Sequence, residues 1–167
     1  MNTRRLTFGA LFMAVTIVLS SSWLSIPVPG GHFYFNGIVI FLSALLFDPL
    51  EAVIIAGFGS FLGDFFFYPL PMFVTLIVHS LQVFVVAWLL RGKTRPAPKS
   101  NVLFALLIGV IIVVVGYFFG RGYGYATLAY AWMKLPFDIA ADLLGAALAY
   151  VIYYHTSLLK QWERLIK

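Results

Sequence analysis

The sequence predicts an all-α membrane protein in which six transmembrane helices form one bundle. Of its 167 residues, 62% are hydrophobic and only 10% are charged, whereas a soluble domain carries about 25% charged residues. The apolar stretches are continuous and do not alternate with polar residues, which favours helices over a β-barrel. A chain of this length has room for about six spans of roughly 20 residues each. We therefore expect a single transmembrane domain over residues 1–167.

The apolar segments are separated by residues that break helices or carry charge. Asp48 and Pro49 end the second segment, a polar linker at 91–99 follows the fourth, and a glycine- and tyrosine-rich loop is expected at 120–135. Pro136 begins the sixth segment, at a position where a helix tolerates proline. The second segment is short for a membrane span. The predicted spans are about 6–24, 36–48, 51–67, 72–90, 102–119 and 136–156.

Basic residues lie mostly on one side of this arrangement. On the other side there are only Arg121 and Lys134. Cytoplasmic loops of membrane proteins carry an excess of Lys and Arg, so this distribution predicts that both termini are cytoplasmic. The residues on the predicted cytoplasmic side are Arg4, Arg5, Arg91, Lys93, Arg95, Lys99, Lys160, Arg164 and Lys167.

The residue content argues against several classes of protein. The chain has no cysteine, which excludes disulfides and thiolate metal sites, and we expect no metal site of another kind. Its net charge of +5 is explained by membrane orientation, so nucleic acid is not an expected partner. There is no catalytic motif and no nucleotide-binding loop, which predicts that the chain is not an enzyme. Transport by this chain would therefore use a gradient or ATPase subunits supplied by partners.

Polar side chains inside apolar spans are costly, so each one is a candidate for function. His79 and Gln82 are spaced i, i+3, and Asp138 and Asp142 are spaced i, i+4, so each pair shares one helical face. With the orientation above, we expect these groups to converge on a cavity that opens to the outside. The candidates are Asn36, Asp64, His79, Gln82, Asp138 and Asp142.

Structural roles remain open for the same residues. Asp138 follows Pro136 closely and is placed to cap the positive end of a helix. Asp142 is a turn deeper, where its alternative role is an ion pair with Arg121 or Lys134. Asp64 lies at the end of a span, where solvated structural carboxylates are common. His79 is open to a packing role.

Aromatic residues cluster in two predicted loops. Trp23 and the segment 26–35, with His32 and Tyr34, form either a stiff lid that stacks on a ring-shaped solute or a belt at the membrane interface. Tyr117 begins a second aromatic cluster with the same two interpretations.

On the first span, Ala10 and Ala14 form a small-xxx-small pair that permits close helix packing. Such pairs are frequent in alanine-rich helices, so this one is a weak signal by itself.

Taken together, these motifs resemble the substrate-binding S components of energy-coupling-factor (ECF) vitamin transporters. The resemblance covers nearly the whole chain, and the order and spacing of the motifs carry it more than any single string. It rests on the Ala10 and Ala14 pair and on the segments 41–52, 57–64, 79–82, 116–119 and 135–145.

The resemblance implies a multi-pass protein of a prokaryotic plasma membrane that captures a B-type vitamin or precursor from outside. Such a protein docks through the alanine motif, here Ala10 and Ala14, on a transmembrane coupling subunit. Two ATPase subunits of that complex use the ATP, and this chain itself has no cofactor. By the same resemblance, the vitamin lies in the outer half of the bundle.

The chain departs from similar proteins at positions that bear on the ligand. Where those proteins often have an aspartate after the first loop, this chain has Asn36 and Gly37, and it has Asp138 and Asp142 where they often have Asn and Gln. Carboxylates favour a ligand that offers N–H donors or positive charge. We therefore expect a hydroxymethylpyrimidine- or pyridoxine-like solute, with pantothenate next.

Two other classes of function remain open at this stage. In a self-sufficient, gradient-driven carrier or small channel, Asp138, Asp142 and His79 would relay protons. An intramembrane enzyme or an assembly protein is the third alternative.

Overall fold

A computed structural model describes residues 3–21 and 24–166, and these residues are predominantly helical. A short antiparallel hairpin of β1 (Ile26–Val28) and β2 (Gly31–Phe33) follows the first helix. The helices are α1 (Thr3–Leu19), α2 (Gly37–Leu46), α3 (Pro49–Phe67), α4 (Met72–Leu90), α5 (Lys99–Tyr125), α6 (Leu128–His155) and α7 (Leu158–Ile166). Helix α3 contains a π-helical segment, Val53–Gly57, and α5 ends in another, Gly120–Tyr125.

Among the described residues, four helices are long and apolar enough to cross a membrane: α3, α4, α5 and α6. Helix α1 has 17 residues and α2 has 10. Large apolar side chains such as Phe73, Ile77 and Phe104 point away from the bundle and are exposed, as expected of a surface that meets lipid. The helical, membrane-type architecture is thus confirmed, while the count of six spans and the cytoplasmic termini stay predictions.

The short second helix lies at the centre of the bundle. Helix α2 packs between α4 and α6, and Ile40, Phe41 and Leu46 are fully buried. Its backbone comes very close to α6, because a Cβ atom on Gly145 would lie 3.0 Å from the carbonyl carbon of Gly37. Neighbouring helices therefore cover α2, so this helix of ten residues does not have to span the hydrocarbon by itself.

Gly145→Ala should destabilise the bundle by about 1–3 kcal/mol, because the added methyl group forces α6 away from the backbone of α2. Thermal unfolding of the purified protein in detergent measures this loss. Gly124→Ala is the matched control, since a Cβ there meets its nearest neighbour, a methyl of Val74, at an ordinary 3.7 Å. Equal unfolding temperatures for the two variants would contradict the close packing described here.

The segment 120–135, expected to be a loop, is mostly helical. Helix α5 continues to Tyr125, and α6 already begins at Leu128, where the side chain of Thr127 accepts a hydrogen bond from the backbone N–H of Tyr130 at 3.3 Å. Pro136 consequently lies inside α6 and does not begin it. Transmembrane helices tolerate such prolines because surrounding groups satisfy the freed backbone.

Two further elements were not expected from the sequence. The hairpin β1–β2 replaces part of the predicted loop, and its turn uses Gly30 and Gly31, both with positive φ. Helix α7 follows α6 as a separate amphipathic helix, with Leu159 and Trp162 buried.

Helix α1 is held at its N-terminal end by α3 and α7. The guanidinium of Arg5 donates hydrogen bonds to Asp48 at 2.6 Å and to Glu51 at 2.5 Å. The ring of Trp162 packs against Phe8, with ring centroids 5.8 Å apart. These contacts join the first helix to the third and the last.

Candidate functional site

A cavity of about 870 Å³, counting its open mouth, lies at one end of the bundle beneath the hairpin. Helices α2, α3, α4, α5 and α6 all contribute to its walls. The lining residues are Ser20, Gly30, Gly31, His32, Tyr34, Asn36, Gly37, Asp64, Tyr68, Pro71, Thr75, His79, Val113, Tyr117, Arg121, Tyr125, Tyr130, Lys134, Asp138, Ala141 and Asp142.

Most of the residues predicted to bind substrate converge on this cavity. Gln82 does not line it, and Trp23 lies outside the described residues. The seven that line it are His32, Tyr34, Asn36, His79, Tyr117, Asp138 and Asp142. Their role in binding stays a prediction, but the structure places these seven residues around one cavity, as expected.

Gln82 lies behind His79 and was wrongly expected at the cavity surface. It is fully buried one turn further along α4, and its Oε1 lies 2.7 Å from Nδ1 of His79. Because an amide oxygen only accepts, Nδ1 carries the proton in this hydrogen bond and Nε2 of His79 remains an acceptor. Gln82 thus orients the imidazole that lines the cavity.

The carboxylate of Asp138 forms ion pairs with both basic residues that line the cavity. Arg121 Nη1 lies 2.7 Å from one carboxylate oxygen of Asp138, and Lys134 Nζ lies 3.4 Å from the other. The expected helix cap at Asp138 is wrong, because α6 starts ten residues earlier, at Leu128. The alternative role of Asp142, an ion pair with these cations, is not observed, because both cations pair with Asp138.

Asp142 lies one turn deeper and has no such partner. It is 8% exposed, lines the cavity, and accepts no hydrogen bond from any of the residues that the structure describes. A buried carboxylate without partners is costly. The oxygens of Asp142 are therefore available to a solute inside the cavity.

A second carboxylate, Asp64, faces the cavity from the end of α3. It accepts a hydrogen bond from Thr75 Oγ1 at 2.5 Å, and Thr75 is hydrogen-bonded in turn to the hydroxyl of Tyr117 at 2.7 Å. Within the described chain no cation pairs with Asp64. It is only 9% exposed, so the interpretation as a solvated structural carboxylate is wrong.

Several lining residues were not among the predicted binding residues. Arg121 and Lys134 carried a usable signal, because they are the two basic residues on the side opposite the other nine. Thr75 carried none, since a threonine in an apolar helix usually bonds its own backbone. Tyr125 belongs to the second aromatic cluster, but it was not singled out as a binding residue.

The hairpin covers the cavity and is fastened by Lys134. Nζ of Lys134 donates a hydrogen bond to the backbone carbonyl of His32 at 2.7 Å. Gly30 sits against the stem of the same side chain, where a Cβ would lie 3.1 Å from Lys134 Cβ. At the rim, the amide of Asn36 donates to Ser20 Oγ at 2.9 Å. This placement of His32 and Tyr34 fits a lid better than a belt in the membrane interface.

Lys134→Met should speed dissociation of a bound solute roughly tenfold, because it removes a charged hydrogen bond, of the kind that contributes about 1.5–3 kcal/mol, from the hairpin. Stopped-flow measurement of ligand release from purified protein tests this. Arg121→Met is the matched control, since Arg121 also faces Asp138 but makes no hydrogen bond to the hairpin. Identical release from both variants would show that the lysine does not hold the lid.

The two alanines predicted for docking lie on the outside of α1. Ala10 and Ala14 are both exposed, and so are Leu11 and Val18 on the same helix. Nothing in the described part of the chain covers this face. Its use by a partner stays a prediction.

The arrangement is suited to binding an organic solute. Tyrosine rings and an imidazole line the walls, where they stack on a flat ring, while Asp64 and Asp142 accept hydrogen bonds. A proton relay would draw on the same acidic side chains, but Asp138 is already bound by Arg121 and Lys134.

Comparison with known proteins finds a matching family model and a similar protein. The family model described as "ECF-type riboflavin transporter, S component" matches residues 1–159. A protein of Pyrococcus woesei, described as an uncharacterized protein in the gap 3' region, is 28% identical over 145 residues. That match covers 83% of this chain and 94% of the Pyrococcus protein.

Proposed function

Because the chain belongs to the S components of ECF-type riboflavin transporters, a transporter family and not an enzyme family, we propose that it captures a B-type vitamin or precursor from outside the cell. The solute binds in the cavity beneath the hairpin. The observation that carries the proposal is the pair of carboxyl groups there, Asp64 and Asp142, neither of which forms a salt bridge with a cation of the described residues.

These carboxylates favour a nitrogen heterocycle with N–H donors or positive charge, such as a hydroxymethylpyrimidine- or pyridoxine-like solute. Pantothenate is disfavoured, because its carboxylate would meet two acidic side chains while both cations are engaged by Asp138. Tyr34 and Tyr117 supply surfaces on which such a ring stacks.

Riboflavin is the second candidate ligand. It is supported by the description of the matching family model and by the tyrosine rings that line the cavity. Its flavin ring carries an N–H group between two carbonyls, which suits a carboxylate and an amide donor such as Asn36.

Delivery to the cytoplasm needs partners. We propose that the exposed face with Ala10 and Ala14 docks on a transmembrane coupling subunit that carries two ATPase subunits in a prokaryotic plasma membrane. Small side chains let two helices approach closely within lipid. The described residues form four membrane-type helices. They also form the cavity without any residue from a partner.

Native mass spectrometry of the purified protein tests the ligand, because a tightly bound vitamin stays with the protein and reveals its mass. Calorimetry then compares hydroxymethylpyrimidine, pyridoxine, riboflavin and pantothenate. We expect submicromolar binding of one of the first three, and weaker binding of it by Asp142→Asn. If none of the four binds to a folded protein, the proposed substrate class is wrong.

A gradient-driven carrier remains the alternative function. Uptake into sealed vesicles separates the two, because an S component requires its ATPase partners. Uptake by vesicles that contain this chain alone, driven by an ion gradient, would favour the carrier.

A further inference from the structure

A second cavity, of about 450 Å³, lies at the opposite end of the bundle and shares no lining residue with the first. It lies between the C-terminal ends of α2 and α4, the linker that follows α4, and Tyr153 of α6. We propose that this cavity binds the phosphate group of an anionic lipid from the adjacent leaflet.

Three cations line this cavity: Arg91, Lys93 and Arg95. All three are exposed, and within the described chain none of them forms an ion pair. Nη1 of Arg95 donates to the backbone carbonyl of Leu46 at 2.8 Å, which fixes that side chain at the wall. Its remaining N–H groups are left for an anion, and guanidinium groups bind phosphate with good geometry.

The single carboxylate that lines the cavity does not offset these cations. Asp48 is already bound by Arg5, at 2.6 Å. The cavity therefore has a local excess of positive charge and attracts an anion.

Apolar side chains also belong to the wall: Leu90 is partly exposed, whereas Leu45 and Phe47 are buried. Leu90 is the last residue of a helix that is apolar enough to span the membrane, so the cavity begins at the depth where the hydrocarbon ends. A lipid places its phosphate at this depth and its acyl chains beside the exposed apolar side chains of α4, such as Phe84 and Trp88, whereas free phosphate gains nothing from them. Basic pockets of this kind between membrane helices bind anionic headgroups.

The test uses the full chain, purified in detergent and titrated with phosphatidylglycerol or with phosphatidylcholine of the same acyl chains. Native mass spectrometry counts the lipids retained. The variant is Arg91→Gln with Lys93→Gln, because neither side chain makes a hydrogen bond or ion pair inside the described protein. The matched control is Lys160→Gln with Arg164→Gln, which removes two exposed cations from α7 outside the cavity.

We expect the wild-type protein to retain phosphatidylglycerol in preference to phosphatidylcholine. The cavity variant should bind phosphatidylglycerol about 30-fold more weakly, because each of the two cations contributes about fivefold to the affinity. The control variant should bind it about as well as the wild type. Equal retention of the two lipids, or equal losses in both variants, would overturn the proposal. Displacement of the lipid by millimolar inorganic phosphate would assign the cavity to a free anion instead. A cavity variant that keeps its lipid but loses uptake would assign these cations to a protein partner. Vitamin binding in the first cavity is scored separately, so its failure is distinguishable from failure here.

Discussion

Replacement of Asp142 by asparagine should weaken vitamin binding roughly 30- to 150-fold, which corresponds to the loss of a charged hydrogen bond of about 2–3 kcal/mol. The carboxylate of Asp142 lines the cavity and accepts no hydrogen bond from the described residues. Both of its oxygens can therefore accept hydrogen bonds from a bound solute. Asparagine keeps the shape of the side chain and halves the number of acceptor oxygens. Calorimetry with the vitamin identified by mass spectrometry measures the change.

Fold integrity is monitored by thermal unfolding in the same detergent. Glu163→Gln serves as the matched control, since it removes one negative charge from α7, outside the cavity. Asp142→Ala should bind at least as weakly as the asparagine variant. Wild-type affinity in both Asp142 variants would remove this residue from the site.

Ala14→Leu should reduce vitamin uptake to near background while the purified protein binds vitamin with unchanged affinity. Ala14 is exposed on α1 and is not part of the cavity wall, so a larger side chain blocks the close approach of a partner helix without reaching the ligand. Ala10→Leu should have the same effect, because it lies one turn away on the same face. Uptake is measured in cells that contain the coupling and ATPase subunits.

The control for docking is Ala147→Leu, which enlarges an exposed alanine on α6 by the same amount. We expect normal uptake from it. Normal uptake in both α1 variants would contradict the docking role, whereas loss of vitamin binding in Ala14→Leu would show that the substitution disturbs the cavity.

The long apolar helices were predictable because their signal is local. A span such as α4 follows directly from 19 apolar-rich residues bounded by Pro71 and Arg91, and the structure places its ends at the predicted residues. The clustering of the candidate site was predictable for a related reason. Polar side chains in a membrane helix avoid lipid, so His79 and Asp142 had to face the same interior.

What escaped prediction depends on contacts between distant segments. Glycines at 120, 122 and 124 indicated a loop, yet α5 continues through them, and Val74 of α4 packs against its backbone at Gly120, where a side chain would clash. The ion pairs of Asp138 escaped prediction for the same reason, since the start of α6 decides which carboxylate faces Arg121. Neither feature can be predicted from the residues next to it in the sequence.

Helix α1 is tied at both of its ends. Arg5 and the ring of Trp162 hold one end against α3 and α7, and the hydroxyl of Ser20, just beyond the other end, bonds Asn36 at the rim of the cavity. The exposed alanines lie between these two ties. A partner helix that docked on these alanines would therefore contact an element joined at one end to α3 and α7 and at the other to the rim of the cavity. We expect docking to affect the cavity through this one helix.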